Sequence, residues 1–558
     1  MSLGMADPLL EIRQLQICFG EAIALQGLDL VVQPGESVGI VGESGSGKSV
    51  ACLAIPGLLP KTARCSGQIA FRSVAGQSSR DLLTLPEREL RQLRGDRLGF
   101  IFQEPLSSLN PVFSAGFQLL EAIQQHLPLS QAEAQQRVIA LLQEVQLIRE
   151  PSQAAQILRR YPHQLSGGQR QRLMIAIALA ANPDLLLADE PTTALDATVQ
   201  ASVLQLLRRL QQQRQMAMIF VSHDLGVIAE VADRVVVLYR GQVVEQGRVA
   251  DVLNSPQHPY TQGLVACRPQ INPRSCYLPT VADFLEGQTE PRSLPPRSPA
   301  TQPLLQVEQL GITYRGRSTA FQAVQNLSFT LPAGLTLGLV GESGCGKSSL
   351  ARCLVGLVPA SEGQIWLDQQ PLDLRSSRDR QRLRQTVQMV FQDPAAALDP
   401  RWTVGSAILE PLRIKQPRRD RTADQRLLKQ WLQRVDLPTD IGDRYPHEFS
   451  GGQRQRICIA RALIGQPRLL ICDESVSALD VSVQAQILNL LKQLQAELGL
   501  TYLFISHDLA VVRYMSDRIL VMNQGQLEED SPTEQLFQRP QSDYTRRLIA
   551  AIPGEVAA

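Results

Sequence analysis

The sequence predicts an α/β protein built from two tandem copies of one domain, each with a parallel-sheet core. In each half a short apolar run, residues 38–41 or 337–340, leads directly into a G-x-x-x-x-G-K-S loop and then into a helical pattern. Continuous apolar runs of this length are typical of buried parallel strands. The order strand, glycine-rich loop, helix is the context in which this motif folds as a phosphate-binding loop.

The duplication is visible in motifs that recur in the same order. Residues 160–172, RYPHQLSGGQRQR, recur as residues 444–456, RYPHEFSGGQRQR, and Ser222-His-Asp-Leu recurs at Ser506 with the same interval. A single long repeat of this kind indicates a tandem domain duplication rather than a solenoid. We therefore predict a first domain over residues 1–265, a linker over 266–302 and a second domain over 303–558.

The linker is rich in proline, serine and arginine, a composition that predicts a fairly extended tether unable to fold alone. Cys267 and Cys276 flank its start. Two cysteines cannot supply the four ligands that an iron–sulfur cluster usually needs, so we predict that they are unligated. The prolines concerned are Pro269, Pro273, Pro279, Pro291, Pro295, Pro296, Pro299 and Pro303.

Composition excludes several classes of protein. The chain has 558 residues, of which 44% are apolar and 20% charged, the balance of folded soluble domains. A net charge of +1 argues against nucleic acid as a partner. No apolar run approaches the ~20 residues that span a bilayer, and the N-terminus lacks the features of a secretory signal. Cysteines within apolar patterns, such as Cys52 and Cys472, indicate a reducing, cytosolic compartment.

The two glycine-rich loops predict two sites for nucleoside triphosphate. Glycines let backbone N–H groups wrap the phosphates at a helix N-terminus. Lys48 and Lys347 are expected to reach the β- and γ-phosphates, and Ser49 and Ser348 to bind Mg²⁺. The alternative, a glycine-rich turn without a ligand, does not explain two copies in matching context. The loop residues are Gly42, Glu43, Ser44, Gly45, Ser46 and Gly47 in the first copy, and Gly341, Glu342, Ser343, Gly344, Cys345 and Gly346 in the second.

Each half also contains an apolar strand that ends in paired acids, Asp189-Glu190 and Asp473-Glu474. The aspartate suits Mg²⁺, directly or through a water, and the glutamate suits polarisation of the attacking water. Alone, such a pair is more often an ordinary strand-to-loop boundary. Downstream of a phosphate-binding loop, the catalytic interpretation is favoured.

A Ser-Gly-Gly-Gln motif opens an arginine-rich helix in each half. Hydroxyl and amide groups at a helix N-terminus form a second phosphate clamp, although a serine N-cap is the simpler alternative. Lying between the phosphate-binding loop and the acidic strand, this motif resembles the signature of ATP-binding-cassette (ABC) ATPases, and the resemblance covers nearly the whole chain. The motif residues are Ser166, Gly167, Gly168 and Gln169, and Ser450, Gly451, Gly452 and Gln453.

The resemblance implies roles for further residues, matched motif by motif. An aromatic residue stacks on adenine, a glutamine loop contacts Mg²⁺ and water, an aspartate loop crosses between cassettes, and a switch histidine contacts the γ-phosphate. By themselves such aromatic and histidine residues would more often be structural. The matching residues are Phe19 and Tyr314, Gln103 and Gln392, Asp196 and Asp480, and His223 and His507, in that order.

Other segments resemble the branch of the family that imports oligopeptides, dipeptides and nickel. These segments are Gln103-Glu-Pro-Leu-Ser-Ser, both Tyr-Pro-His triplets and His258-Pro-Tyr-Thr. The branch uses two unlike ATPases, and the two halves resemble one each, so the chain is similar to a fusion of the pair. Ser542-Asp-Tyr-Thr and Ser475, which stands where proline is usual, depart from the pattern. Neither changes a phosphate-binding or water-activating position, so both sites are expected to be competent.

The resemblance implies a fold and a setting. Each cassette is expected to combine its parallel core with an antiparallel β part and a helical part, over residues 109–165 and 402–449. The two cassettes are expected to pair within one chain on the cytoplasmic face of the inner membrane, bound peripherally to two integral membrane permease subunits that work with an extracytoplasmic solute-binding protein. Peptides are the expected cargo, and nickel, glutathione-like and opine-like solutes stay open.

A rival interpretation is a soluble twin-cassette ATPase acting on ribosomes or nucleic acid. That class would usually carry a long charged helical linker, which the proline-rich segment does not match. A regulatory protein without turnover is disfavoured by Glu190 and Glu474.

Cys345 lies inside the second phosphate-binding loop, beside backbone amides and near Lys347. Such a setting predicts a lowered thiol pKa and ready alkylation, with a tolerated small residue as the alternative.

Overall fold

The structure, a computed structural model, describes residues 7–73, 79–104, 108–193, 195–269, 277–287, 302–315, 320–416, 420–477 and 479–552. Within them the two halves repeat one architecture. Each half has a four-stranded antiparallel sheet and a six-stranded, mostly parallel sheet. The predicted α/β class with two tandem copies is confirmed.

The antiparallel sheet of the first half has the strand order β2-β1-β4-β5. Leu10, Ile12, Leu15 and Ile17 in β1 are buried, because side chains on alternate positions of a strand face the core. Shifts of register within β1 interrupt the strict alternation. The strands are β1 (Leu10–Phe19), β2 (Ala22–Val32), β4 (Ala63–Phe71) and β5 (Arg80–Asp81).

The six-stranded sheet of the first half has the order β10-β9-β3-β8-β7-β6. Strand β3 is buried over its whole length and pairs in parallel with both neighbours. This matches its continuous apolar sequence, and only the β9–β10 pair is antiparallel. The strands are β3 (Ser37–Val41), β6 (Leu98–Ile101), β7 (Leu185–Asp189), β8 (Ala217–Ser222), β9 (Arg234–Tyr239) and β10 (Gln242–Arg248).

The helices of the first half connect these strands and form the predicted helical part. Ser130 and Glu133 make a capping box at the start of the helix Gln131–Glu144. Numbered within the described residues, the helices are α1 (Lys48–Ala54), α2 (Glu87–Leu93), α3 (Ala115–His126), α4 (Gln131–Glu144), α5 (Ala154–Leu158), α6 (Gly167–Ala178), α7 (Ala197–Arg214), α8 (Leu225–Val231), α9 (Val249–Asn254) and α10 (Pro259–Ala266).

The second half has sheets of order β12-β11-β14-β15 and β16-β17-β18-β13-β19-β20. Its strands are β11 (Pro303–Arg315), β12 (Ala320–Pro332), β13 (Thr336–Val340), β14 (Glu362–Leu367), β15 (Gln370–Pro371), β16 (Val387–Val390), β17 (Leu469–Asp473), β18 (Thr501–Ile505), β19 (Arg518–Asn523) and β20 (Gln526–Pro532). After α11 (Val281–Leu285), its helices are α12 (Lys347–Leu354), α13 (Ser377–Thr386), α14 (Pro394–Ala397), α15 (Val404–Lys415), α16 (Arg421–Arg434), α17 (Gly451–Leu463), α18 (Val481–Leu498), α19 (Leu509–Met515), α20 (Thr533–Gln538) and α21 (Asp543–Ala550).

Part of the predicted linker is folded. Residues 277–287 include helix α11, and Leu278, Thr280, Val281 and Asp283 are buried. The expectation of an extended tether is wrong for this part, because a few apolar side chains in a proline-rich stretch suffice to dock it on an existing surface. Pro273, Cys276 and the prolines between 288 and 301 lie outside the described residues, and Pro303 begins strand β11 of the second half. The domain boundaries stay a prediction.

One apolar core cluster runs through both halves. It contains Val41 and Leu186 of the first half together with Leu470 and Phe504 of the second. Helix α10 contacts α18, and α21 contacts α7, so the halves touch through elements of both. Within the described residues no helix combines the length and the apolar character that crossing a membrane requires.

Candidate functional site

The two phosphate-binding loops follow the central strands β3 and β13. Gly47 and Gly346 precede α1 and α12 with φ of 101° and 108°, the left-handed region that favours glycine. A Cβ at Gly42 would lie 2.2 Å from the carbonyl oxygen of Leu238 in β9. Glycine is therefore required where the loop passes the neighbouring strand.

The lysine of each loop is buried and bonded to the loop itself. Lys48 Nζ donates to the carbonyl oxygens of Gly42 at 2.7 Å and Glu43 at 2.8 Å. Lys347 Nζ makes the same bonds to Gly341 at 2.7 Å and Glu342 at 2.9 Å. Burial lowers the pKa of Lys48, although nearby carboxylates oppose the shift. Each ammonium group is thus held inside the loop, where phosphate oxygens would bind.

The structure brings the predicted residues of the first site together around Glu190. Gln103 Nε2 donates to Glu190 Oε2 at 3.1 Å, and Thr193 Oγ1 donates to the same oxygen at 3.0 Å. His223 Nδ1 lies 3.3 Å from that oxygen, and Lys48 Nζ lies 4.0 Å from Glu190 Oε1. The glutamate is therefore fixed in position by three side chains of different loops.

The second site repeats the glutamine and histidine contacts around Glu474. Gln392 Nε2 donates to Glu474 Oε2 at 2.7 Å, and His507 Nδ1 lies 3.5 Å from the same oxygen. Ser477 stands where the first site has Thr193, but its hydroxyl donates to the backbone oxygen of Glu474 at 3.0 Å. The two glutamates thus differ in how many side chains fix their carboxylates.

The predicted Mg²⁺ ligands lie beside the loops. Ser49 Oγ donates to Asp189 Oδ1 at 3.0 Å, and Ser348 Oγ donates to Asp473 Oδ1 at 3.2 Å. Burial raises the pKa of Asp189 to about 6, with the hydrogen bond from Ser49 opposing the shift. Burial raises the pKa of Asp473 as well. Because Asp189 and Asp473 are poorly hydrated, a cation bound beside them would have to displace little water from their carboxylates.

The acid and histidine of each site have opposite pKa shifts. Burial acts to raise the pKa of Glu190, but the hydrogen bond and charge of His223 outweigh it, and the pKa is lowered. Burial acts to lower the pKa of His223, but the bond to Glu190 outweighs it, and the pKa is raised. Glu474 and His507 follow the same pattern. Each glutamate is thus held in the ionised form that a general base needs.

Both glutamates have a backbone conformation that is rare for residues with a side chain. Glu190 and Glu474 have φ of 44° and 46°. A left-handed conformation costs roughly 1–2 kcal/mol for an L-residue, and such strain clusters at functional sites. The turn directs each carboxylate away from the line of its strand and towards its histidine.

The signature serines begin helices α6 and α17. Ser166 Oγ accepts from Gln169 N at 3.2 Å, and Gln169 Oε1 accepts from Ser166 N at 3.1 Å, which completes a capping box. Ser450 and Gln453 repeat it. The N-cap interpretation is confirmed, and a phosphate contact by the same serines stays a prediction.

The aspartate loops join the two cassettes reciprocally. Asp480 Oδ2 accepts from Ser44 N of the first phosphate-binding loop at 2.8 Å. Asp196 Oδ2 accepts from Ser343 N of the second loop at 3.2 Å. A cavity of about 100 Å³ next to these loops is lined by Glu190, His223 and His507 among others. The two sites thus meet across one interface.

The two predicted adenine-stacking residues lie on the antiparallel sheets. Phe19 ends β1 and is half-buried. Tyr314 near the end of β11 is 39% exposed, and its hydroxyl donates to Ser349 Oγ at 3.2 Å. Tyr314 thus lies beside helix α12, and stacking on adenine stays a prediction for both residues.

Cys345 does not have the predicted lowered pKa. Its side chain is buried, and burial raises the thiol pKa even though Lys347 opposes the shift. The sequence context indicated the favourable charges but not the loss of water around the sulfur. The thiol is therefore expected to react slowly, in agreement with the alternative of a tolerated small residue.

Sequence reasoning missed two tyrosines. Tyr260 OH accepts from Glu43 N at 2.9 Å, and Tyr544 OH accepts from Glu342 N at 3.0 Å. Both lie in the His258-Pro-Tyr-Thr and Ser542-Asp-Tyr-Thr segments, which were used only as family markers. Both segments contain a tyrosine at the same position, and this repetition was the signal that could have identified Tyr260 and Tyr544.

Each half therefore carries a buried loop lysine, a hydrogen-bonded glutamate–histidine pair and a serine–aspartate pair that suits Mg²⁺. These features define the chain as a tandem P-loop nucleoside triphosphatase. It belongs to the ABC transporter family. The model described as "ABC transporter" matches residues 25–193 and 324–477. A second model, "Oligopeptide/dipeptide transporter, C-terminal region", matches residues 244–291. As a member of the family, the chain binds and hydrolyses ATP.

Similar proteins share almost the whole length. "Glutathione import ATP-binding protein GsiA" of Pectobacterium atrosepticum is 46% identical over 98% of this chain and 89% of its own length. The protein of the same name from Escherichia coli K12 is 45% identical over 98% of this chain and 90% of its own. A solved structure, cbiO1 from Clostridium perfringens, covers 42% of this chain and 91% of its own at 27% identity, with a TM-score of 0.38.

Proposed function

We propose that this chain is the ATP-hydrolysing subunit of an importer for short peptides, with a glutathione-like tripeptide as the first solute to test. The full-length relatives at 46% and 45% identity are named for glutathione import. Residues 244–291 match the C-terminal region of oligopeptide and dipeptide transporters. Nickel and opine-like solutes are the alternatives that the same family resemblance offers.

Mg²⁺ fits the side chains beside each phosphate-binding loop. A hydroxyl, a carboxylate and an amide are hard ligands of the kind that Mg²⁺ prefers. The described residues contain no cluster of three or more His, Cys, Asp or Glu that would hold a metal alone, so phosphate oxygens would complete the coordination. The candidates are Ser49, Asp189 and Gln103 in the first site, and Ser348, Asp473 and Gln392 in the second.

The hydrolytic step uses groups already in place around Glu190. Its carboxylate accepts a proton from the attacking water, and the lowered pKa of Glu190 keeps it ionised for that purpose. His223 Nδ1 lies 3.3 Å from the carboxylate, and we assign its other ring nitrogen, Nε2, to the γ-phosphate. Lys48 binds phosphate oxygens, and Mg²⁺ when bound adds positive charge that stabilises the transferring phosphoryl group. Glu474, His507 and Lys347 act in the same way.

Each ATP is proposed to be enclosed by both cassettes. Ser450 faces the ATP held by Lys48, and Ser166 faces the ATP held by Lys347. The contacts of Asp480 with the first loop and Asp196 with the second support this head-to-tail arrangement.

The composite arrangement predicts a specific cross-link. With Ser44→Cys and Ser450→Cys in one chain and ATP trapped, a disulfide should form, because closure brings the two Cα atoms towards the ~4.4–6.8 Å that a disulfide needs. The measurement is the mobility shift on a non-reducing gel after cleavage in the linker. The matched control pairs Ser44→Cys with Ser166→Cys of the same half. Efficient cross-linking in the control and none in the test pair would refute the composite model.

A cleft in the second cassette supports a membrane partner. It has a volume of about 440 Å³ and lies between the glutamine-loop strand β16 and helix α15, lined by Phe391, Pro411 and Ile414 among others. Phe391 and Ile414 are 41% and 73% exposed. A cleft that combines apolar side chains with charged ones such as Arg384 and Glu410 suits a short amphipathic helix of another protein.

The first cassette presents a different surface beside its own glutamine loop. Phe113 and Phe117 stack with centroids 4.5 Å apart, and Val112 is 70% exposed. In the repeat, Arg401 and Ser406 stand where the first cassette has Val112 and Phe117. Cassettes that differ at this surface suit two unlike membrane subunits. We infer a complex of this chain with two integral membrane permease subunits at the cytoplasmic face of the inner membrane, working with an extracytoplasmic solute-binding protein.

Solute uptake tests the proposed function. A strain that lacks the chain should lose uptake of radiolabelled glutathione, because no other part of the complex hydrolyses ATP. The wild-type chain should restore uptake, whereas a Glu190→Gln, Glu474→Gln chain should not. Normal uptake of glutathione, peptides and nickel in the deletion strain would refute the importer.

A further inference from the structure

We propose that residues 277–287, here called the bridging segment, position the first phosphate-binding loop against the second cassette. The segment is hydrogen-bonded to Asn489 of the second cassette and packs against the backbone of Gly263 in the first. Among the described residues, the second phosphate-binding loop has no equivalent of this segment, so the two ATP sites are held unequally. Tyr260 and Asn489 act as positioning residues in this arrangement.

The bridging segment is pinned to helix α18 of the second cassette by one side chain. Leu278 N donates to Asn489 Oδ1 at 3.0 Å, and Asn489 Nδ2 donates to Leu278 O at 2.8 Å. Tyr514 OH also donates to Asn489 Oδ1, at 2.9 Å. All three residues are buried. The side-chain amide of Asn489 thus satisfies the backbone N–H and C=O of Leu278 as a neighbouring strand would. Loss of this amide would leave both buried backbone groups without a hydrogen-bond partner.

The same segment packs on helix α10 of the first cassette. A Cβ at Gly263 in α10 would lie 2.8 Å from Val281 Cα. The two helices therefore touch backbone to backbone, which glycine alone permits. Helix α11 is fixed by a capping box in which Thr280 Oγ1 accepts from Asp283 N at 3.3 Å.

Helix α10 carries the residue that reaches the phosphate-binding loop. Tyr260 is fully buried, and its hydroxyl accepts from Glu43 N at 2.9 Å. The Tyr239 ring lies 4.2 Å from the Tyr260 ring, centroid to centroid, and restricts its movement. A displacement of α10 would therefore move the hydroxyl away from the loop amide.

Helix α18 reaches the same loop from the other side. Asp480, which precedes it, accepts from Ser44 N at 2.8 Å, and the Ser482 hydroxyl donates to the Glu43 carboxylate. The contacts thus form a closed ring from the loop through Tyr260, the bridging segment and Asn489 back to α18. Because the ring is closed, the loop, α10, the bridging segment and α18 restrain one another's movement.

The second loop has a shorter ring, in which α21 packs directly on α7, and no bridging segment takes part in it among the described residues. Tyr544 OH accepts from Glu342 N at 3.0 Å, and Thr198 Oγ1 donates to Glu342 Oε1 at 3.1 Å. The residue of α7 that matches Asn489 in the repeat is Gln205, which is exposed to solvent. The first loop is therefore held against its partner cassette by more contacts than the second.

The test compares Asn489→Leu with its matched control, Gln205→Leu, in the full chain. Hydrogen exchange of the peptides covering residues 42–47 and 341–346 reports the order of each loop, and photolabelling with azido-ATP followed by peptide mapping reports occupancy of each site. In Asn489→Leu we expect exchange to rise about tenfold in the first loop only, the effect of losing ~1.4 kcal/mol, and labelling of the first site to fall. The Gln205→Leu chain should match the wild type.

A milder pair guards against a general folding defect. Tyr260→Phe removes only the hydroxyl on the first loop, and Tyr544→Phe removes only that on the second. Tyr260→Phe should raise exchange in the first loop and increase the ATP concentration for half-maximal labelling there, with the second loop unchanged, and Tyr544→Phe should do the reverse. Equal effects of Asn489→Leu on both loops, or no effect on the first, would overturn the proposal.

Discussion

Replacing Glu190 with Gln is expected to reduce ATP turnover at the first site by at least about 100-fold while leaving ATP binding intact, so that the remaining phosphate release comes from the second site. The carboxylate that would accept the proton of water becomes a neutral amide of the same shape. Gln103, Thr193 and His223 lie within hydrogen-bonding distance of that oxygen, so the geometry is kept and the basicity is lost. Glu474→Gln should have the same effect in the second site.

Phosphate release and filter binding of labelled ATP measure the two quantities separately. Glu121→Gln, an exposed carboxylate on α3, is the matched control and should hydrolyse ATP at the wild-type rate. The assignment of the general base is wrong if both site variants turn over at the rate of the control. A loss of ATP binding in Glu190→Gln would instead indicate that the carboxylate supports the loop.

Replacing Gly42 with Ala is expected to weaken ATP binding at the first site by roughly 100-fold. The added Cβ would lie 2.2 Å from the Leu238 carbonyl oxygen and 2.6 Å from Ser46 Oγ. The first contact is with the backbone of a buried strand, which cannot move aside. Overpacking costs typically 1–3 kcal/mol, and ~2.7 kcal/mol corresponds to a factor of about 100 in affinity. Equilibrium binding of a fluorescent ATP analogue in a Lys347→Ala background isolates the first site.

Gly45→Ala is the control for this substitution. Its Cβ would meet nothing within 4 Å, although its φ of 78° adds some strain. We therefore expect a smaller loss of affinity than for Gly42→Ala, with the same melting temperature. Equal losses for the two variants would mean that backbone strain, rather than the collision with β9, sets the requirement for glycine.

Much of the site could be predicted because its chemistry lies in short contiguous motifs. The loop lysines, the strand-end acids and the signature serines were all identified from residue types at fixed spacing. The continuous apolar runs before the loops predicted β3 and β13 for the same reason. Such features depend on local sequence, which a repeat within one chain makes easier to recognise.

Features that depend on distant parts of the chain could not be predicted in the same way. The contact of Tyr260 with Glu43 joins residues far apart in sequence. The burial that raises the pKa of Cys345 depends on packing of the surrounding sheet and helix. The bridging segment receives backbone hydrogen bonds from Asn489, a residue far along the chain in the second cassette. In each case the residue is visible in the sequence, but its contacts and its burial depend on residues that only the tertiary structure brings near it.

The apolar cluster shared by both halves has a consequence for how such a chain can be divided. Its members include Leu186 and Phe220 on one side and Leu470 and Phe504 on the other. Cutting the chain into separate cassettes would expose part of this cluster to water, and each fragment would then tend to cover it with a second copy of itself. Fusion into one polypeptide guarantees that every first cassette is made next to a second one. Mixed pairing is thereby secured at synthesis, and like-with-like pairing is suppressed.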